Sequence, residues 1–77
     1  MNTKEILMEI LTDLHPKVDF ESAQALIDDE ILDSFDIATI IADVSEEFDI
    51  NITANEIIPK NFNSITAMCA LVERLLD

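Results

Sequence analysis

Residues 33–48 read Asp33-Ser34-Phe35-Asp36-Ile37-Ala38-Thr39-Ile40-Ile41-Ala42-Asp43-Val44-Ser45-Glu46-Glu47-Phe48. Counted from Ile37, the large apolar residues Ile40, Ile41, Val44 and Phe48 follow at spacings of three, four, seven and eleven. That spacing sets them on one stripe of an α-helix, with Asp36, Thr39, Asp43, Ser45, Glu46 and Glu47 on the other faces. Asp33 stands where the N-cap belongs. Its carboxylate can accept a bond from the N–H groups of the first turn, and its charge suits the positive end of the helix dipole. A helix is therefore predicted from about Ser34 to Phe48, with Ser34 at its first position, exposed beside the cap and flanked by acids. That serine lacks the partners of a nucleophile. The single histidine, His15, is the one imidazole that could act as its base, and a chain with no glycine cannot form a GxSxG elbow. A hydroxyl presented to another enzyme is the better reading.

Outward from this helix, 77 residues allow one domain with one modest core. Tryptophan and tyrosine are absent, so four phenylalanines and many isoleucines and leucines must build that core. With no glycine and two prolines, tight hairpins that need positive φ are disfavoured, and the expected fold class is all-α, a small four-helix bundle with three longer helices and one short one. The net charge of −13 would repel a phosphate backbone, which excludes nucleic acid as a partner, and it disfavours anionic membrane surfaces. No apolar run reaches the length of a membrane span, and Met1-Asn2-Thr3-Lys4-Glu5 lacks the pattern of a signal peptide. The expectation is a monomeric, soluble, cytoplasmic protein whose partners present basic patches. Cys69 is the only cysteine, so no internal disulfide can form, and its apolar neighbours make it a buried small hydrophobe.

Along the chain, Ile6, Leu7, Ile10, Leu11 and Leu14 make the face of a first helix over Asn2 to Leu14, with Asn2 and Glu5 in a capping arrangement. Pro16 stops it, leaving His15 as a solvated residue at the negative end of the dipole. No second ligand pattern accompanies His15 to make it a metal ligand. Lys17 to Leu32 is a long connection anchored by Val18, Phe20, Ala23, Leu26, Ile27 and Ile31, in which Ser22 to Ile27 could form a helical turn. Asp28, Asp29, Glu30 and Asp33 lack the spacing of a calcium loop and read as a solvated acidic loop. Thr53-Ala54-Asn55-Glu56 reads as a capping box opening a short helix that Pro59 limits. Asn63 is expected to cap a last helix running to Leu76, with Ile65, Met68, Cys69, Val72 and Leu75 as its buried stripe. Lys60 and Arg74 read as isolated positive charges. Between Val18 and Pro59 there is no lysine or arginine at all.

Asp33-Ser34-Phe35-Asp36, followed by Ser45-Glu46-Glu47-Phe48-Asp49 and Ile50-Asn51-Ile52, resembles the acyl carrier proteins over nearly the whole chain. Their Asp-Ser-Leu, Asp-Ser-Met or Asp-Ser-Phe signature carries 4′-phosphopantetheine on the serine. The resemblance implies that Ser34 is the attachment point, modified by a phosphopantetheinyl transferase using coenzyme A. The thiol of the arm, not Cys69, would hold an acyl or aminoacyl group as a thioester for partner enzymes, so the chain itself would not be an enzyme. It further implies that Asp33, Asp36, Asp43, Glu46 and Glu47 meet basic patches on those partners, namely the transferase and adenylating ligases or acyltransferases. Phe35 has two readings, an aromatic packed on the preceding loop or a contact to partners beside the prosthetic group. Thr39 and Ser45 stand where the family often has acids, a departure that implies a partner set other than that of fatty-acid synthesis. Many relatives have a glycine near position 30, where Glu30 must make the turn without positive φ or with strain. The motif Leu32-Asp33-Ser34-Phe35 looks closer to D-alanyl and other aminoacyl carriers. A fatty-acyl cargo would need space between the helices, which Ile40, Ile41 and Ile57 are bulky enough to fill. The short third helix would shift when cargo enters. The rival reading is an acidic helical interaction module whose Ser34 is never modified.

Under either reading, like charges crowd a small core. The melting temperature is therefore expected to rise between low and moderate ionic strength, or on adding Mg²⁺, as a thermal scan in each buffer would record. An unchanged or lower value would show that repulsion is not a significant cost to the fold.

Overall fold

The computed structural model of the chain describes residues 2–76. All regular structure in that span is helical: α1 (Thr3–Leu14), α2 (Ser34–Phe48), a 3-10 turn (Ala54–Glu56), α3 (Pro59–Phe62) and α4 (Ile65–Leu76). The three long helices and one short helix agree with the expected class of a small helical bundle.

Local chemistry sets the ends of the first two helices. Asn2 Oδ1 accepts the Glu5 N–H at 2.9 Å, and Asn2 Nδ2 donates to Glu5 Oε1 at 3.3 Å. Before Pro16, His15 leaves helical geometry at φ −137° and ψ 82°, and its N–H closes α1 onto the Leu11 carbonyl at 2.8 Å. α2 ends when Asp49 turns left-handed at φ 53° and ψ 49°. That geometry suits glycine best, and aspartate tolerates it better than most residues do.

Several expectations need correction. No helical turn forms over residues 22–27. The connection is instead a series of turns, in which the Leu26 carbonyl accepts the N–H groups of both Ile31 and Leu32, at 2.9 and 3.0 Å. Glu30 adopts φ 59° there, so the turn is made with strain. Thr53 makes no side-chain cap. The Glu56 carboxylate, which would have completed the box, is held by Arg74 at 2.5 and 3.3 Å, so Arg74 is paired rather than isolated. Pro59 opens α3 rather than limiting the preceding turn, since proline is well suited to a first helical position. Ser64, not Asn63, caps α4, with Ser64 Oγ accepting the Ala67 N–H at 3.1 Å.

Asn63 is used elsewhere. Its Oδ1 accepts the N–H groups of Ile27 and Asp28 at 2.9 and 3.1 Å, and its carbonyl accepts the Leu26 N–H at 2.9 Å. One residue thus pins the long connection to the α3–α4 junction.

α1 packs on α4 and on α2, and α3 packs on α4. Leu7 and Leu11 of α1 meet Ile65, Met68, Leu71 and Val72 of α4, Ile40 and Val44 of α2, and Phe20, Leu26 and Leu32 of the connection in one core. Leu71 lies outside the stripe expected for α4 and widens its buried face. Each such side chain contributes about 1.5–3 kcal/mol by leaving water.

Replacing Asn63 by Ala strands two backbone donors of the connection. Stability in urea is expected to fall by roughly 1–2 kcal/mol. A loss well below that range would mean that solvent satisfies Ile27 and Asp28 equally well.

Candidate functional site

The first turn of α2 is closed by two bonds running in opposite directions. Asp33, extended at φ −103° and ψ −174°, accepts the Asp36 N–H on Oδ1 at 2.9 Å, and Asp36 accepts the Asp33 N–H on Oδ2 at 3.1 Å. This is a capping box with aspartate doing the work usually done by glutamate. Ser34 and Phe35 sit inside it. The Ser34 side chain is exposed, and among the described residues its Oγ has no hydrogen-bond partner. Phe35 is 85% exposed, so its ring stands largely clear of the other described residues.

His15 reaches this turn from the end of α1. Its Nε2 lies 2.9 Å from Asp36 Oδ2, with the His15 side chain 35% and the Asp36 side chain 15% exposed. The expectation of a solvated histidine is therefore corrected. Nε2 is itself buried, and it approaches the oxygen without the alignment of a well-formed hydrogen bond. Burial acts to raise the Asp36 carboxyl. The His15 contact and the bond from the Asp33 N–H outweigh it and hold the group below the ordinary aspartate value.

An open groove of about 860 Å³ begins beside Ser34. Its walls are chiefly Ile27, Ile37, Ala38, Ile41 and Ile57, with the polar groups of Glu30, Asp33 and Ser34 along its edge. A smaller hollow of about 90 Å³ shares Ile27, Ile37 and Ile57 and reaches the buried Phe62. Ile40 lies in the core, while Ile41 and Ile57 wall the groove without filling it.

Successive residues of α2 turn by about 100°, which divides its surface into three flanks. Ser34, Ile37, Ala38 and Ile41 face the groove. Phe35, Thr39 and Glu46 point away from the core. Asp36, Asp43 and Glu47 line the flank toward α1, as the His15 contact requires. Asp43, Glu46 and Glu47 are exposed, and they lie roughly 13–20 Å along the axis from Ser34. The acids expected to act together are thus divided. Asp33 and Asp36 frame the serine, Asp36 with most of its surface turned inward, while the other three stand two or more turns away.

The sequence pattern did not point to His15, Glu30 or Ile27 as site residues. Ile57 was expected beside the cargo space as a filler, and it stands instead as an exposed wall of the groove. Among the described residues no group of three or more His, Cys, Asp or Glu side chains is placed to hold a metal ion, and no helix is long and apolar enough to cross a membrane. Cys69 lies in the second turn of α4, half-buried, and burial with the nearby Glu73 charge pushes its thiol up.

Because the Asp36 carboxyl is held low, its contribution to stability is full above the ordinary aspartate value and is lost as pH falls through the folded one. Parent and Asp36→Asn are therefore expected to differ most in melting temperature near about pH 7, and the difference is expected to close toward about pH 3. A gap of constant size would show that the asparagine disturbs packing rather than charge.

No protein-family model, curated protein or solved structure matches the chain.

Proposed function

We propose that this chain is a carrier domain of the acyl-carrier type, modified on Ser34 by 4′-phosphopantetheine. The observation that carries the reading is the placement of one exposed, unengaged hydroxyl at the first position of a capped helix, at the mouth of an apolar groove. A residue so placed suits attack by Ser34 Oγ on the pyrophosphate of coenzyme A. A new P–O bond forms to Ser34, the P–O bond to the adenosine bisphosphate breaks, and the hydroxyl proton passes to a base of the transferase. The site fits such a group because, among the described residues, Ser34 is exposed and no side chain competes for its oxygen. Once attached, the arm supplies a thiol that carries cargo as a thioester.

The chain's own residues do the rest. Asp33 and Asp36 keep the first turn of α2 closed. Phe35 offers an apolar anchor beside the serine, and Asp43, Glu46 and Glu47 give α2 an acidic surface for basic partners such as adenylating ligases and acyltransferases. The apolar walls of Ile37, Ile41 and Ile57 favour an acyl cargo with an apolar chain over D-alanine, which has little apolar surface to bury there.

The test is intact mass after incubation with coenzyme A and a broad-specificity phosphopantetheinyl transferase, with Ser34→Ala in parallel. The parent is expected to gain one phosphopantetheine and the variant none. No gain on the parent, with a known carrier modified in the same tube, would leave an acidic interaction module that is never loaded.

A further inference from the structure

α2 carries the serine, and its attachment to the rest of the fold is apolar except at one point. Ile37, Ile40, Ile41, Val44 and Phe48 pack in or against the core. That stripe turns one face of the helix to the core, but it leaves the first turn, ahead of Ile37, without an apolar anchor of its own. Among the described residues, the one side-chain polar contact from α2 to another element is His15 Nε2 to Asp36 Oδ2, at 2.9 Å. The same oxygen accepts the Asp33 N–H at 3.1 Å. An imidazole from α1, a carboxylate of α2 and the N-cap amide therefore converge on a single atom.

We propose that His15 is a positioning residue for Ser34: by holding the Asp36 carboxylate it fixes the rotation of the first turn of α2, and so the direction in which the serine hydroxyl is offered. This rests on the reading of Ser34 as the attachment site. The ring is well placed for the role. Its backbone closes α1 onto Leu11, Pro16 sets the exit of the chain, and α1 is the principal helical neighbour of α2. It is not placed as a base for Ser34, because Asp36 lies on the flank of α2 turned away from the groove. Among the described residues Asp36 is the one acid within ion-pair distance of the ring, and Asp33 stands behind it. Asp13 and Lys17, the charged neighbours along the chain, are exposed, and among the described residues neither forms an ion pair.

The experiment compares parent, His15→Ala and His15→Gln, the last of which can set an N–H where Nε2 stood. Two readouts are taken: kcat/KM for transfer of phosphopantetheine to Ser34, and the amide resonances of Asp33 and Asp36. His15→Ala is expected to lower kcat/KM by about three- to tenfold, as for loss of one polar contact, and to shift both amides. His15→Gln is expected to restore both to within about twofold of the parent. A folded His15→Ala with parental kcat/KM and unmoved amides overturns the proposal, as does a His15→Gln that fares no better than Ala. If the parent is not modified at all, the carrier reading fails, and the amide shifts alone decide whether His15 positions the turn. If His15→Ala does not fold, His15→Phe takes its place, keeping a ring at the end of α1 with no nitrogen to meet Asp36. Parental kcat/KM and unmoved Asp33 and Asp36 amides in that variant overturn the proposal.

Discussion

The reciprocal bonds between Asp33 and Asp36 close the first turn of α2, and the site depends on that closure. Without it, four N–H groups at the start of the helix would look for other partners, and the serine between the two acids would share in the fraying. With it, Ser34 stands on a formed helix while its own oxygen remains unengaged. The fold supplies the backing: α1 lies along one flank of α2 through Leu7 and Leu11, and the turns after Phe20 bring Leu26 and Leu32 into the core just ahead of Asp33. Asn63 holds those turns in place from the far side of the sequence. The cap, the connection and the α3–α4 junction thus form one mechanical chain that ends at the serine.

Charge works against this arrangement. The acids outnumber the bases 17 to 4, and the ion pairs among the described residues are Lys4 with Glu21, Arg74 with Glu56 and the histidine contact to Asp36. The remaining acids are solvated and repel one another. A chain assembled for stability alone would neutralise some of them, so the field over α2 fits a surface kept for a basic partner. Under the proposed function, the apolar groove beside that field would add a second kind of recognition, one that responds to shape and to buried area rather than to salt.

The bounds of α1 and α2 were legible because two independent signals agreed at each: a stripe of isoleucine and leucine, and a side chain of the right type at the cap. Where a single signal had to decide, the reading erred. Asn63 and Ser64 are both good caps in adjacent positions, and only the three-dimensional pull of the Ile27 and Asp28 amides separates them. Thr53 and Glu56 carry the letters of a capping box, but Arg74, eighteen residues on, takes the carboxylate. The exposure of Ser34 followed from its place at the cap. The groove did not, because its walls come from the connection, from α2 and from Ile57, which meet only after folding. His15 was misread for the same reason: its partner lies on another helix.

Two residues beside α2, Glu30 and Asp49, hold left-handed backbone in a chain that contains no glycine. Both side chains are exposed, Glu30 at the edge of the groove and Asp49 away from it. The sharper constraint lies in the main chain. Sequence drift at these sites is therefore directional. Glycine or asparagine can enter freely, whereas valine, isoleucine or proline would be purged even though nothing touches the new side chain. Surface positions usually vary because they are unconstrained. These two would vary within a narrow alphabet, and a set of diverged sequences would mark both ends of the serine-bearing helix by that alphabet alone.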